Sequence, residues 1–280
     1  MTAERPARRF PLALGRVGGP AARKPSPAAP RAGEAGAGLL RPQRHVAEAH
    51  ADAARRSSAV GLGLDSADVR ARMVERLRGE GIRQPRVLAA FAAVPRHLFV
   101  DAALATQAYE DTSLPIGHGQ TISKPSVVAR MLELLCAGAN AAAADDLGAV
   151  LEIGTGCGYQ AALLCRLGKR VVSVERLQPL HDKARTLLAP MRDRRLRLVF
   201  DDGMRGHPPG APYDSIVAAA GGSDVPQAWL DQLAVGGRLV TPVQQGAGQV
   251  LVVIDRHADR YSRSVHEAVR FVALKSGLAR

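Results

Sequence analysis

The stretch Glu152-Ile153-Gly154-Thr155-Gly156-Cys157-Gly158-Tyr159 constrains this chain more than any other. It follows the apolar run 150–153, the length of a short buried strand, and leads into 161–167, which reads as a helix. Glycine turns sharply and lets a ligand approach the backbone, because it carries no Cβ. Strand, glycine turn and helix in succession are the setting of a nucleotide-binding loop.

The pattern around that turn repeats it. Short apolar runs at 171–174, 196–200, 215–219, 238–243 and 250–255 alternate with helical stretches at 179–188 and 225–233. The pair Gly236-Gly237 reads as the stop of the last helix, and 269–274 as a final strand. Upstream, Ser66 reads as the N-cap of a helix with Val69, Met73, Val74 and Leu77 on one face. A second helix starts at Pro85, buries Val87, Leu88 and Phe91, and stops before Pro95. The expected fold is α/β, a Rossmann-like doubly wound, mostly parallel sheet with helices on both faces. The last strands lie too close for a crossover helix and are expected as an antiparallel addition at the edge. The two early helices form an N-terminal cap.

Composition divides the chain. Residues 1–60 hold 11 Lys/Arg against 4 Asp/Glu, so +7 of the net +12 lies there. Residues 1–65 are rich in Ala, Pro, Arg and Gly and are expected to be a disordered basic extension. The domain is expected over 66–280, with cap and substrate loop in 66–148 and the cofactor-binding sheet in 149–280. A basic tail attracts nucleic acid in general. Its arginines are scattered among Ala and Pro, so specific nucleic-acid binding is not expected. Cys136, Cys157 and Cys165 form no C-x-x-C pair and no Cys/His cluster, which argues against a disulfide framework and against a metal site. No apolar run reaches a membrane span, and the N-terminus lacks a secretory core, so the expected location is cytoplasmic.

Acidic residues sharpen the reading of the turn. Glu152 ends the first strand of the unit. Glu175 ends the second, about twenty residues on, where an acid accepts hydrogen bonds from ribose hydroxyls. Asp202-Gly203 follows the third strand, where a carboxylate suits an adenine amino group. A dinucleotide brings a pyrophosphate, which favours a helix N-terminus with few acids nearby. A sulfonium donor brings positive charge, which tolerates Glu152. The E-x-G-x-G-x-G pattern resembles the first motif of S-adenosylmethionine methyltransferases, and Tyr159 stands where a dinucleotide fingerprint has its last glycine.

A second segment, Leu114-Pro115-Ile116-Gly117-His118-Gly119-Gln120-Thr121-Ile122-Ser123-Lys124-Pro125, reads as a glycine- and hydroxyl-rich loop before a helix over 126–135. Its N–H groups and the hydroxyls of Thr121 and Ser123 suit an anionic substrate group. With Val94-Pro95-Arg96-His97-Leu98-Phe99-Val100, Tyr109, Val127-Val128-Ala129-Arg130-Met131, Val150 to Gln160, Ser173 to Arg176, Asp202-Gly203, Gly236-Gly237-Arg238-Leu239-Val240 and Val269-Arg270-Phe271-Val272, this loop is similar to the corresponding segments of the protein-L-isoaspartate O-methyltransferases. The similarity runs over about 69–274.

That resemblance implies methyl transfer from S-adenosylmethionine to the α-carboxylate of L-isoaspartyl residues in damaged proteins, which starts repair through a succinimide. It implies Ser123 as the catalytic residue, with Gln120, Thr121 and Ser123 toward the substrate. The donor contacts would be Thr121, Ile122, Glu152, Gly154, Thr155, Gly156, Gly158, Glu175, Arg176, Asp202 and Gly203. His118 is expected to be a solvent-touching loop residue. Asp201 stands where the family commonly has glycine, and Ala273 where it often has proline, which is expected to loosen the C-terminal segment. Two other readings stay open: the same fold acting on another carboxylate, and a non-catalytic binding protein whose tail attracts nucleic acid.

Overall fold

Apolar residues that alternate along a strand must find cover on both faces of a sheet, and here they do. The computed structural model describes residues 67–280, so the extension expected over 1–65 and the Ser66 cap lie outside the described residues. The described residues open with helices α1 (Ala67–Gly79) and α2 (Pro85–Ala93) and continue through strands β1 (Leu114–Gly117) and β2 (Gln120–Ile122). Helices α3 (Pro125–Cys136) and α4 (Ala139–Ala144) lead to β3 (Ala149–Ile153), α5 (Tyr159–Leu167), β4 (Arg170–Glu175) and α6 (Gln178–Leu188). Then follow β5 (Leu196–Phe200), β6 (Tyr213–Ala218), α7 (Gln227–Gln232), β7 (Leu233–Gln245), β8 (Gly248–Arg256) and β9 (Tyr261–Val269).

Strands β3 to β9 form one sheet of order β5-β4-β3-β6-β7-β8-β9. The first five are parallel; β8 and β9 are antiparallel. Val150, Val171, Val217, Val240 and Leu251 face one core, shared with the cap helices, α3 and α5. Leu151, Val172, Ile216, Leu239 and Val252 face the other, with Trp229. Period-two alternation therefore buries both faces, as a parallel sheet requires. Each such side chain contributes about 1.5–3 kcal/mol of apolar burial. The cap joins the sheet layer through Phe91, whose ring meets Tyr159 edge-on at 6.1 Å between centroids.

Three details depart from the sequence reading. The segment read as a loop is a two-stranded hairpin of β1 and β2, turned by Gly117, His118 and Gly119, all with positive φ. The glycine pair does not stop a helix: α7 ends at Gln232, and Gly236-Gly237 lies inside β7. Leu233 already has extended angles, and a Cβ on Gly237 would lie 2.8 Å from Ala234 O, so the pair serves close strand packing. The final strand is Tyr261–Val269, not 269–274. Nearly every residue of β9 is exposed or half-exposed, so it lacks an apolar alternation, and the apolar run after it leaves the sheet.

Candidate active site

The sheet order makes β3 the strand from which the chain departs in both directions, to β4 on one side and β6 on the other. Ligands of open α/β sheets bind beyond the strand ends at such a point. A cavity of about 220 Å³ lies there. Its sheet side is formed by Gly154, Thr155, Gly156, Glu175, Arg176 and Gly203. The β1–β2 hairpin supplies Gln120, Thr121, Ile122 and Ser123, and the C-terminal segment supplies Val272 to Lys275.

The glycine turn is tied to the neighbouring strand: Gly154 N donates to Val174 O at 2.8 Å. Gly158 adopts φ 91°, and a Cβ there would meet Leu188 Cδ1 at 2.6 Å, so the turn enters α5 only with glycine at that position. Glu175, 5% exposed, has both oxygens fixed: Oε2 accepts Gly156 N and Oε1 accepts Leu177 N, each at 2.9 Å. The carboxylate thus braces the turn from the end of β4. Each oxygen keeps a further lone pair for a ligand hydroxyl.

Three residues expected at the donor are not on the cavity wall. Glu152 is fully buried and turned into the protein, where Ser173 Oγ donates to its Oε2 at 2.5 Å. Ser173 Oγ also lies 2.6 Å from Thr155 Oγ1, so Glu152 reaches the cavity through Ser173 and Thr155. Gly158 faces Leu188 instead of the cavity. Asp202 accepts Met204 N at 3.0 Å and Gly277 N at 2.7 Å, which commits it to its own turn and to the C-terminal segment. The reason is common to Glu152 and Asp202: a strand end places a Cα, while local hydrogen bonds decide where the side chain turns. Arg176 lines the cavity, with its Nε held by Gly277 O at 2.7 Å. Asp201 accepts Asp202 N.

Burial pushes the Glu152 carboxyl up to about 8, against the hydrogen bond from Ser173, which lowers it. The folded state then holds a proton that the unfolded chain loses near 4.5. The contribution of this group to stability is fully present below that value and is lost as pH rises toward about 8. We expect Glu152→Gln to match wild type in melting temperature at pH 5 and to exceed it at pH 8.5. Thermal melts of both proteins across that range check this; parallel curves would contradict it.

On the hairpin side of the cavity, Arg96 is fully buried beneath the hairpin's end. Its Nη2 donates to Ser123 O at 2.7 Å and its Nε to Ala108 O at 2.8 Å, while its Cζ lies 4.9 Å from the Tyr159 ring centre. Desolvation lowers its pKa, the nearby polar groups opposing. This cation holds the Ser123 backbone, and Ser123 Oγ makes no hydrogen bond among the described residues. His118 stands at the hairpin tip, exposed, beside the cavity. The C-terminal segment is held by its backbone: Gly221 N donates to Val272 O and Leu274 N to Gly221 O, so Ala273 leaves it attached. Arg96 and Gln160, a buried residue on the cavity wall, had no role in the sequence reading. Both lie inside segments that carry the family resemblance, which was the one available signal.

This sheet order, the acid-braced glycine turn at the switch point and the hairpin closing over it define a Rossmann-like methyltransferase. Among solved structures, a protein-L-isoaspartate O-methyltransferase superposes with TM-score 0.66 at 27% identity, covering 75% of this chain and 67% of that one. A Plasmodium falciparum structure described as a putative protein-L-isoaspartate O-methyltransferase in complex with S-adenosyl-L-homocysteine shares the fold, with TM-score 0.62 at 22% identity over 73% of this chain and 97% of that one. The chain belongs to the protein-L-isoaspartate(D-aspartate) O-methyltransferase family, whose model matches residues 68–279. A protein-L-isoaspartate O-methyltransferase of Methylibium petroleiphilum is 61% identical over 278 residues, 98% of each chain. One from Leptothrix cholodnii is 62% identical over 240 residues, 85% of this chain and 84% of that one. Among the described residues no helix is long and apolar enough to cross a membrane, and no cluster of His, Cys, Asp or Glu is placed to hold a metal.

Proposed function

We propose that this chain methylates the α-carboxylate of L-isoaspartyl residues in damaged proteins, with S-adenosyl-L-methionine as donor. The observation that carries the reading is the meeting, in one cavity, of the Glu175-braced glycine turn with a hairpin that presents the unengaged Ser123 hydroxyl. The donor fits the wall: Glu175 is its one carboxylate, and the glycine backbone leaves room for a ligand at close approach. Glu175, Gly154, Gly156, Thr155, Arg176 and Gly203 hold the donor on the sheet side, with Thr121 and Ile122 across from them. Glu152, Gly158 and Asp202 support that wall from behind. When bound, the donor supplies an electrophilic methyl carbon on a sulfonium.

The rest of the work falls to this chain's residues. A carboxylate with a pKa of about 4 is already ionised at neutral pH, so no general base is required. Ser123 donates a hydrogen bond to the acceptor carboxylate and sets its angle of approach, with Gln120 and Thr121 flanking it. Ile116, Ile122, Val272 and Leu274 exclude water. That matters because an anion meeting a cation loses charge on the way to the transition state, and water stabilises the separated ions more than the product. The methyl ester then closes, by attack of the following backbone nitrogen and loss of methanol, to a succinimide whose hydrolysis returns part of the chain to aspartate.

The partners are proteins carrying isoaspartyl sites, and the expected location is the cytoplasm. Residues 1–65 serve as a basic extension to the domain, without specific nucleic-acid binding. Transfer of labelled methyl groups to an isoaspartyl protein, followed by mild alkali, tests the linkage formed. An ester releases its label as methanol; label that survives alkali would mark methylation of nitrogen and contradict the reading.

A further inference from the structure

The β1–β2 hairpin is small, with three paired positions, Leu114 with Ile122, Pro115 with Thr121 and Gly117 with Gln120. An isolated hairpin of this size is not stable in water. The register shifts between Pro115 and Gly117, which leaves Ile116 outside the regular pairing. Its carbonyl is taken instead by Lys183 of α6, whose Nζ donates at 2.9 Å across 67 residues of sequence. The Ile116 side chain reaches the donor turn: a Cβ on Gly156 would lie 3.2 Å from Ile116 Cδ1. At the other end of the hairpin, Arg96 holds Ser123 O. The hairpin therefore hangs between two cations, one from the cap and one from the helix that follows Glu175.

We propose that Lys183 is a positioning residue that pins the acceptor hairpin to the donor half and so couples closure over the donor to the placement of Thr121 and Ser123. The proposal rests on the reading of this hairpin as the acceptor wall. Lys183 approaches neither acceptor nor methyl group; it acts through Ile116. Without the pin, Ile116 leaves Gly156, the donor end opens to water, and Ser123 remains held only from the Arg96 side.

The test compares Lys183→Met and Lys183→Arg with wild type, in the full chain. Three measurements are made: S-adenosyl-L-homocysteine affinity by calorimetry, hydrogen exchange of hairpin amides, and kcat and KM on an isoaspartyl peptide. A charged hydrogen bond of this kind accounts for about tenfold. Lys183→Met is expected to weaken S-adenosyl-L-homocysteine by that factor, to speed exchange at 114–122 without speeding it in β3 and β4, and to lower kcat/KM. Lys183→Arg, which keeps a donor at that place, is expected to recover most of each. Unchanged affinity and unchanged hairpin exchange in Lys183→Met would overturn the proposal, as would accelerated exchange throughout the sheet with no recovery by arginine. A wild-type protein that binds S-adenosyl-L-homocysteine but methylates no isoaspartyl peptide would remove the acceptor reading alone. Affinity and exchange would still decide the pin.

Discussion

Ser123→Ala lowers turnover on an isoaspartyl peptide by about a hundredfold, the scale of losing one aligned hydrogen-bond donor. Donor affinity stays within about twofold of wild type, because the lost interaction belongs to the acceptor. The expectation follows from two facts about the site. Arg96 holds the Ser123 carbonyl from below, so the backbone position survives loss of the hydroxyl. The hydroxyl itself has no partner among the described residues, so its removal breaks no internal bond. Stability is therefore expected to be unchanged within error in thermal melts. Steady-state kinetics and calorimetry on the same preparation separate the terms. Weak donor binding with normal turnover would place Ser123 at the donor instead.

Glu175→Ala has the opposite signature. The mutation removes the acceptor for Gly156 N and Leu177 N, two backbone groups at the wall of the cavity. The remaining lone pair on each oxygen accepts a donor hydroxyl, and two hydrogen bonds to a charged group, at about 1.5–3 kcal/mol each, set the expected fall in donor affinity at about a hundredfold or more. The glycine turn loses its brace at the same time, and the melting temperature is expected to drop. Glu175→Gln keeps one acceptor oxygen and should fall between the two. Calorimetric titration with S-adenosyl-L-homocysteine measures the effect. An unchanged dissociation constant in Glu175→Ala would remove this residue from the donor site.

The sheet was legible because buried parallel strands write themselves as apolar runs, and β3, β4 and β5 were found within a residue or two of their bounds. Strand β9 was not, since its exposed faces carry Ser262, Arg263, Ser264, His266 and Glu267 and leave no alternation to read. The apolar stretch after it serves the cavity wall instead of the sheet. The hairpin leaves little trace in the sequence because its pairing is three positions long and its centre is Gly-His-Gly, which composition marks as a loop. Of the residues read as the site, Ser123, Thr121, Glu175, Gly154, Gly156 and Gly203 line the cavity, while Gly158 faces Leu188. Glu152 and Asp202 were placed at the right strand ends, but the direction of their side chains depends on Ser173 and on Gly277, far away in sequence. Lys183 is visible only in three dimensions and Arg96 is marked in the sequence by the resemblance alone, since each acts on a backbone carbonyl far along the chain.

The central claim is that this cavity distinguishes an isoaspartyl α-carboxylate from an ordinary aspartyl side chain. The most direct measurement supplies labelled S-adenosyl-L-methionine with two peptides of one sequence, differing only in that linkage. The account predicts label on the isoaspartyl peptide and none above background on its aspartyl twin. Equal labelling of the two, or labelling of neither by a protein that binds the donor, would contradict it.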